Sequence, residues 1–208
     1  MENVLYPLVS ASEEKPVGPT THQSRIPQID PERATEKSKR LLGRVRSKLG
    51  LIPNLFRVLA NAPVALEGYL NFSEALAAGA LDDKLREQIA LTVAESNLCP
   101  YCRSAHAFLG EKAGLSSDEI ADAIRARGSD RRTDAVLKLA RIIIVQRGEV
   151  SDSELKRARA AGLTDGELVE TVANIALNIF TNYINHVART AIDFPEVKAL
   201  GGAQEPLT

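Results

Sequence analysis

From Asp30 onward, apolar residues recur every three to four positions, the spacing of one face of an α-helix. Asp30 before Pro31 reads as an N-cap with proline at the first helical position. Leu41, Leu42, Val45 and Leu49 then follow in helical register, and Gly50 ends the run. Pro53 opens a short helix carrying Leu55, Phe56, Val58 and Leu59. Pro63 opens another, with Leu66, Tyr69, Leu70 and Leu76, ending near Gly79. Leu85, Ile89, Leu91, Val93 and Ala94 predict a mostly buried helix, interrupted at Ser96 and Asn97. Pro100 starts the next.

Three capping boxes lie in the second half: Ser116 with Glu119, Ser151 with Glu154 and Thr164 with Glu167. Gly128, Gly148 and Gly162 stand where helix C-termini are expected. Ile142 to Val145 alone resembles a strand, but Leu137, Leu139 and Ala140 extend it into a buried helix. Ala113-Gly114-Leu115 and Ala161-Gly162-Leu163 each precede a capped amphipathic helix. The echo fits either an old helical-hairpin duplication or one good turn used twice. The expected fold is an all-α helical bundle: one domain over residues 30–208 behind an N-terminal arm, residues 1–29. Pro7, Pro16, Pro19 and Pro27 deny the arm any sustained period. It is expected to be disordered or docked on a partner subunit.

Composition narrows the function classes. The 208 residues suffice for one sizeable core, and aromatics make up only 4% with no Trp. A net charge of −1 offers no field for nucleic acid or an anionic membrane. Arg125, Arg127, Arg131 and Arg132 cluster, but Asp122 and Asp130 among them favour a solvated turn. No apolar run approaches the roughly 20 residues of a membrane span. Glu2 and the short, Pro7-broken stretch from Val4 to Val9 do not suit a signal peptide, so a cytoplasmic location is expected.

The two cysteines, Cys99 and Cys102, are separated by only two residues. That is no disulfide framework of a secreted domain. With Pro100 at the first helical position, Cys99 becomes the N-cap and Cys102 enters the first turn. A helix N-terminus favours the thiolate, the nucleophilic form. Residues i and i+3 lie about 60° apart around a helix, and i and i+4 about 40°. Cys99, Cys102 and His106 therefore share a face. Zinc would need a fourth ligand, and His22 and His186 lie far away in sequence. No metal, haem, flavin or nicotinamide is expected.

Glu87, Cys99-Pro100-Tyr101-Cys102 and His106 together resemble the Glu…Cys-x-x-Cys-x-x-x-His motif of the alkylhydroperoxidase AhpD-like and carboxymuconolactone decarboxylase superfamily. Gly50-Leu51-Ile52-Pro53-Asn54 and Asn185-His186 through Asp193-Phe194-Pro195 resemble its peroxidase-related branch, and the likeness runs from about residue 40 to 196. The resemblance implies an all-α fold and a homo-oligomer (dimer, trimer or hexamer). It implies attack on a peroxide by Cys102, a disulfide closed by Cys99, and a proton relay of Glu87 and His106. The expected function is a thiol-dependent peroxidase or disulfide oxidoreductase acting on alkyl or organic hydroperoxides, re-reduced by an external dithiol or thiol protein. The alternatives are a decarboxylase-type acid–base enzyme and a redox-sensing oligomer without turnover. Tyr101 is a departure, since the better-studied peroxidases carry a histidine between the cysteines.

Two points stay open on the residues alone. Along one straight helix Glu87 would lie about 18 Å from Cys99, so it reaches the site only if the chain reverses near Ser96 and Asn97. Glu95, one turn before Cys99, is its rival. On the apolar helix from Leu168 to Tyr183, Asn178 and Asn182, with Asn185 just beyond, either line a pocket or satisfy groups where helices meet; the structural role is favoured.

Overall fold

A computed structural model describes residues 24–198; the expected arm up to residue 23 and the end of the domain from 199 lie outside the described residues. Among the described residues there is no strand, as the periodicity predicts. A single 3-10 turn, Pro31–Arg33, is capped by Asp30. Then follow α1 (Glu36–Leu49), α2 (Asn54–Leu59), α3 (Pro63–Ala77), α4 (Asp83–Ser96), α5 (Pro100–Lys112), α6 (Ser117–Ile124), α7 (Arg131–Val145), α8 (Asp152–Ala160) and α9 (Asp165–Ala188).

Helix α4 is the axis of the bundle, packed against α5, α6, α7 and α9. Leu85, Ile89, Leu91 and Val93 on it are at most 3% exposed, and the polar Gln88 and Thr92 are buried beside them, as expected of a central helix enclosed on most sides. Its neighbours form two apolar cores. One joins α4 to α6, α7, α8 and the first half of α9. The other gathers α1, α2 and α3 around Ala94, Cys99, Tyr101 and Cys102. The cysteines therefore sit where α4 and α5 enter the second core.

All three capping boxes form, with both reciprocal hydrogen bonds present in each. The Ala-Gly-Leu echo is the same C-terminal turn built twice. Gly114 (φ +90°) and Gly162 (φ +99°) take the left-handed conformation. The N–H groups of Leu115 and Leu163 then donate to Gly110 O and Ala158 O, and both leucines are buried. The last helix extends five residues beyond Tyr183 to Ala188, closed by Arg189 at φ +50°.

Two expectations are corrected. Gly128 does not end a helix: α6 closes through Arg125 and Ala126, with Ala126 at φ +56°. Gly128 is needed because the backbone of α7 crosses it, where a Cβ would stand 2.1 Å from Asp134 N. Nor is the arginine cluster only a solvated turn. Arg132 is half-buried and pairs with Glu167, tying the start of α7 to the start of α9.

The described end of the arm lies on its own chain. Arg25 N donates to Ala188 O at 2.7 Å, and Asn61 Nδ2 donates to Pro27 O at 2.7 Å. Ile29 N reaches Arg57 O at 3.0 Å, so residues 24–29 bridge the ends of α9 and α2.

Candidate active site

The chain does reverse after α4. Asn97 closes the helix, Leu98 takes φ +54°, and Cys99 becomes the N-cap of α5. Cys99 Sγ accepts the N–H of Cys102 at 3.3 Å, so one of the free amides of α5 points at a sulfur. The two cysteines are joined as a disulfide, with Cα atoms 5.3 Å apart.

The reversal lays α5 back along α4 and brings Glu87 to His106. Glu87 Oε2 lies 2.8 Å from His106 Nδ1. Each side chain keeps about a fifth of its surface, which leaves the pair partly wet. A carboxylate at Nδ1 fixes the imidazole so that Nε2 faces away from it and can accept or deliver a proton.

The rival Glu95 is engaged elsewhere. Its Oε2 lies 2.5 Å from Arg103 Nη1, and Arg103 is 6% exposed. Leaving that guanidinium unpaired in the core would be costly, which accounts for Glu95. The geometry thus separates two carboxylates that sequence treats alike.

Sequence reasoning missed one contact at the sulfur. Asn185 Nδ2 on α9 donates to Cys102 Sγ at 3.2 Å. The other asparagines do different work. Asn178 Nδ2 bonds back to Asn174 O on its own helix. Asn182 Oδ1 accepts from Asn97 Nδ2 at 3.0 Å, and His186 Nε2 lies 2.8 Å from Asn97 O. Those two hold the α4–α5 reversal. The structural role therefore fits Asn182, while Asn185 faces the cysteine pair. The signal was present as a run of polar residues on an apolar helix; the rotation of α9 against α5 was not.

Tyr101 is a strut. Its hydroxyl donates to Asp193 Oδ1 at 2.8 Å and accepts the N–H of Leu55 at 3.1 Å. Asp193 Oδ2 also accepts from Asn54 N at 2.8 Å. One phenol thus joins α5, the start of α2 and the C-terminal segment. Burial, assisted by the Asp193 charge, pushes the phenol well above its ordinary range, so it stays neutral. Phe194 packs edge-on to the Tyr101 ring and tilted against Phe108.

These elements surround a cleft of about 850 Å³ between α1, α3, α4, α5 and α9. Glu87, Cys102, His106 and Asn185 all line it; Cys99 does not. Both sulfurs belong to nearly buried residues, 1% and 2% exposed, so approach from the cleft distinguishes them better than exposure does. An asymmetric pair of this kind offers one sulfur to a ligand and keeps the other behind it.

The sequence model for the carboxymuconolactone decarboxylase family matches residues 63–144, from α3 through the cysteine helix into α7. Over this segment, which carries Glu87, Cys99, Cys102 and His106, the chain is similar to that family. The fold is shared with an uncharacterized peroxidase-related protein from Ralstonia eutropha JMP134, described as an alkylhydroperoxidase AhpD core. The identity there is 22%, with a TM-score of 0.75 over 82% of this chain and 93% of that one. A peroxidase-related protein from Silicibacter sp. TM1040 gives 19% identity and a TM-score of 0.73, covering 84% and 95%. The debrominase Bmp8 gives 16% and 0.70, covering 83% and 92%. No curated protein matches the sequence. Among the described residues no helix is long and apolar enough to cross a membrane.

Proposed function

We propose that the protein is a thiol-dependent peroxidase in which Cys102 attacks an organic hydroperoxide and Cys99 resolves the product. The observation that carries this reading is that Cys102, and not Cys99, lines the cleft shared with the Glu87–His106 pair. In the reduced protein, His106 takes the Cys102 proton with its charge balanced by Glu87. The thiolate then attacks the distal peroxide oxygen. The O–O bond breaks, Cys102 becomes a sulfenic acid, and the alkoxide leaves as an alcohol on receiving that proton. The Cys99 sulfur displaces hydroxide from the sulfenic acid; with the Cys99 proton this leaves as water and the disulfide closes. An external dithiol reduces it and is itself oxidised. The chemistry needs no group beyond protein thiols, and the reducing cytoplasm suits such a cycle.

Asn185 donates to the sulfur on which negative charge builds, and such a bond is stronger to a charged acceptor. Tyr101 replaces the histidine of better-studied relatives without joining the relay. The relay is the shorter one, Glu87 to His106 to Cys102. A homo-oligomer fits the outer face of α9, where Val169, Val172, Tyr183 and Val187 are half or more exposed; a second copy of the chain is the expected occupant.

Hydroperoxide consumption supported by a dithiol tests the reading. Cys102→Ser abolishes turnover. Cys99→Ser retains the first oxidation but stalls the cycle. His106→Asn and Glu87→Gln lower the rate of the first step, by about a hundred-fold for the histidine. Turnover that survives loss of both thiols supports the decarboxylase-type chemistry instead. A disulfide that forms and reverses without turnover supports the sensor.

A further inference from the structure

The cleft does not end at the sulfur. It continues along α5, where Cys102, His106, Leu109 and Lys112 lie in line on its wall. Ten residues of helix from Cys102 to Lys112 span about 15 Å. The lining is more apolar than polar: Phe56, Leu70 and Leu76 face the groove, together with Ser73, Asn178 and Thr181.

The charges of the lining gather at the far end and do not cancel. Arg44 pairs with Glu74 at 3.0 Å, and Arg86 pairs with Asp83 at 2.5 Å. Glu87 is taken by His106. Lys48 and Lys112 have no ionic partner among the described residues. The ammonium of Lys112 sits over the Phe108 ring, 4.5 Å from its centroid.

The helix registers put both lysines at one end. The ion pairs Lys37–Glu67 and Arg44–Glu74 advance together, so α1 and α3 run parallel. Lys48, one turn beyond Arg44, thus lies beside the C-terminal end of α3. That end leads directly into α4. The start of α4 lies against the end of α5, since Lys84 Cε is 3.3 Å from the place a Gly114 Cβ would occupy. Lys112 closes the same end.

We infer that the substrate is a long-chain hydroperoxide with an anionic head group, of the fatty-acid class. Its chain lies along the largely apolar groove, its carboxylate meets Lys48 and Lys112, and its peroxide reaches Cys102. A span of about 15 Å corresponds to roughly a dozen carbons, with C–C bonds near 1.5 Å in zigzag. Shorter peroxides reach the sulfur but not the lysines. This inference deepens the peroxidase reading and rests on it for the reacting group. The anion-binding end stands on its own geometry.

The experiment has two arms on the full-length protein. The first compares kcat/KM for a hydroperoxy fatty acid, its methyl ester and tert-butyl hydroperoxide. The second measures equilibrium binding of dodecanoate and dodecanol, which need no thiol chemistry. The acid is expected to exceed the ester and the alcohol by about ten-fold. Lys48→Gln and Lys112→Gln each remove about three- to five-fold of that preference, the scale of a solvent-accessible ion pair. The preference shrinks as salt rises. Equal affinity for acid and alcohol, binding of neither, or a preference untouched by both substitutions overturns the inference. Failure to turn over any hydroperoxide defeats the peroxidase reading, while the binding arm still decides the anionic end.

Discussion

Replacing Tyr101 by Phe removes one oxygen and leaves the ring packing against Phe194 in place. The substitution withdraws the acceptor of the Leu55 N–H, a buried backbone donor in the first turn of α2. An unsatisfied buried donor costs about 1–3 kcal/mol. Asp193 also loses a donor, but it is exposed and keeps its bond from Asn54, so water replaces the phenol there at little cost. The expected loss is about 2 kcal/mol, which for a chain of this size lowers Tm by about 4–8 °C. Thermal unfolding followed by circular dichroism, on the reduced protein, reads the shift. Peroxide turnover at a temperature where both proteins are folded stays within about three-fold, because the phenol makes its bonds to Leu55 and Asp193 and none to the Glu87–His106 pair. A hundred-fold loss of rate with an unchanged Tm would refute this reasoning and return Tyr101 to the relay.

Asn185→Leu removes the donor to Cys102 Sγ; a bond to a charged acceptor contributes about 1.5–3 kcal/mol, so alkylation of Cys102 in a Cys99→Ser background slows at least ten-fold at fixed pH, and an unchanged rate excludes the contact. Gly128→Ala drives a Cβ into the backbone of Thr133 and Asp134 and destabilises the protein by about 2 kcal/mol or more, read by urea unfolding; an unaffected midpoint contradicts the tight crossing. In the fold, Tyr69 is pushed up to about 12 by burial and the Glu87 charge, and Tyr101 higher still by burial. Raised values mean the fold favours the neutral phenols, so their stabilising contribution is complete below the ordinary value of 10 and, for Tyr69, is lost as pH rises toward 12. Ultraviolet difference titration therefore shows these two phenolates only above pH 11 or on unfolding; appearance near pH 10 in the folded protein contradicts the burial.

The helices were legible because their ends are marked locally. A capping box, a proline at the first position or a glycine in the left-handed region acts within a few residues, so Ser116, Pro100 and Gly162 identify their own turns. Gly128 was misread because its reason is a crossing backbone, which no local pattern encodes. The Glu87–His106 pair was legible only through the resemblance, since helical spacing alone favours neither Glu87 nor Glu95. What separates them is that Arg103 is buried and claims Glu95, a consequence of the tertiary packing. Asn185 shows the same limit. A polar residue on an apolar helix signals a partner, but which of Asn178, Asn182 and Asn185 meets the sulfur depends on how α9 is rotated.

If the protein is a thiol peroxidase of this kind, Cys102 is the sulfur that meets the peroxide, and a trapping experiment reads this out. Cys99→Ser and Cys102→Ser proteins are each reduced, given one equivalent of organic hydroperoxide, and treated with a sulfenic-acid trap before peptide mass spectrometry. Attack by Cys102 predicts a rapid adduct on Cys102 in the first protein and little on Cys99 in the second. An adduct on Cys99 at a comparable rate, or none on Cys102, contradicts it.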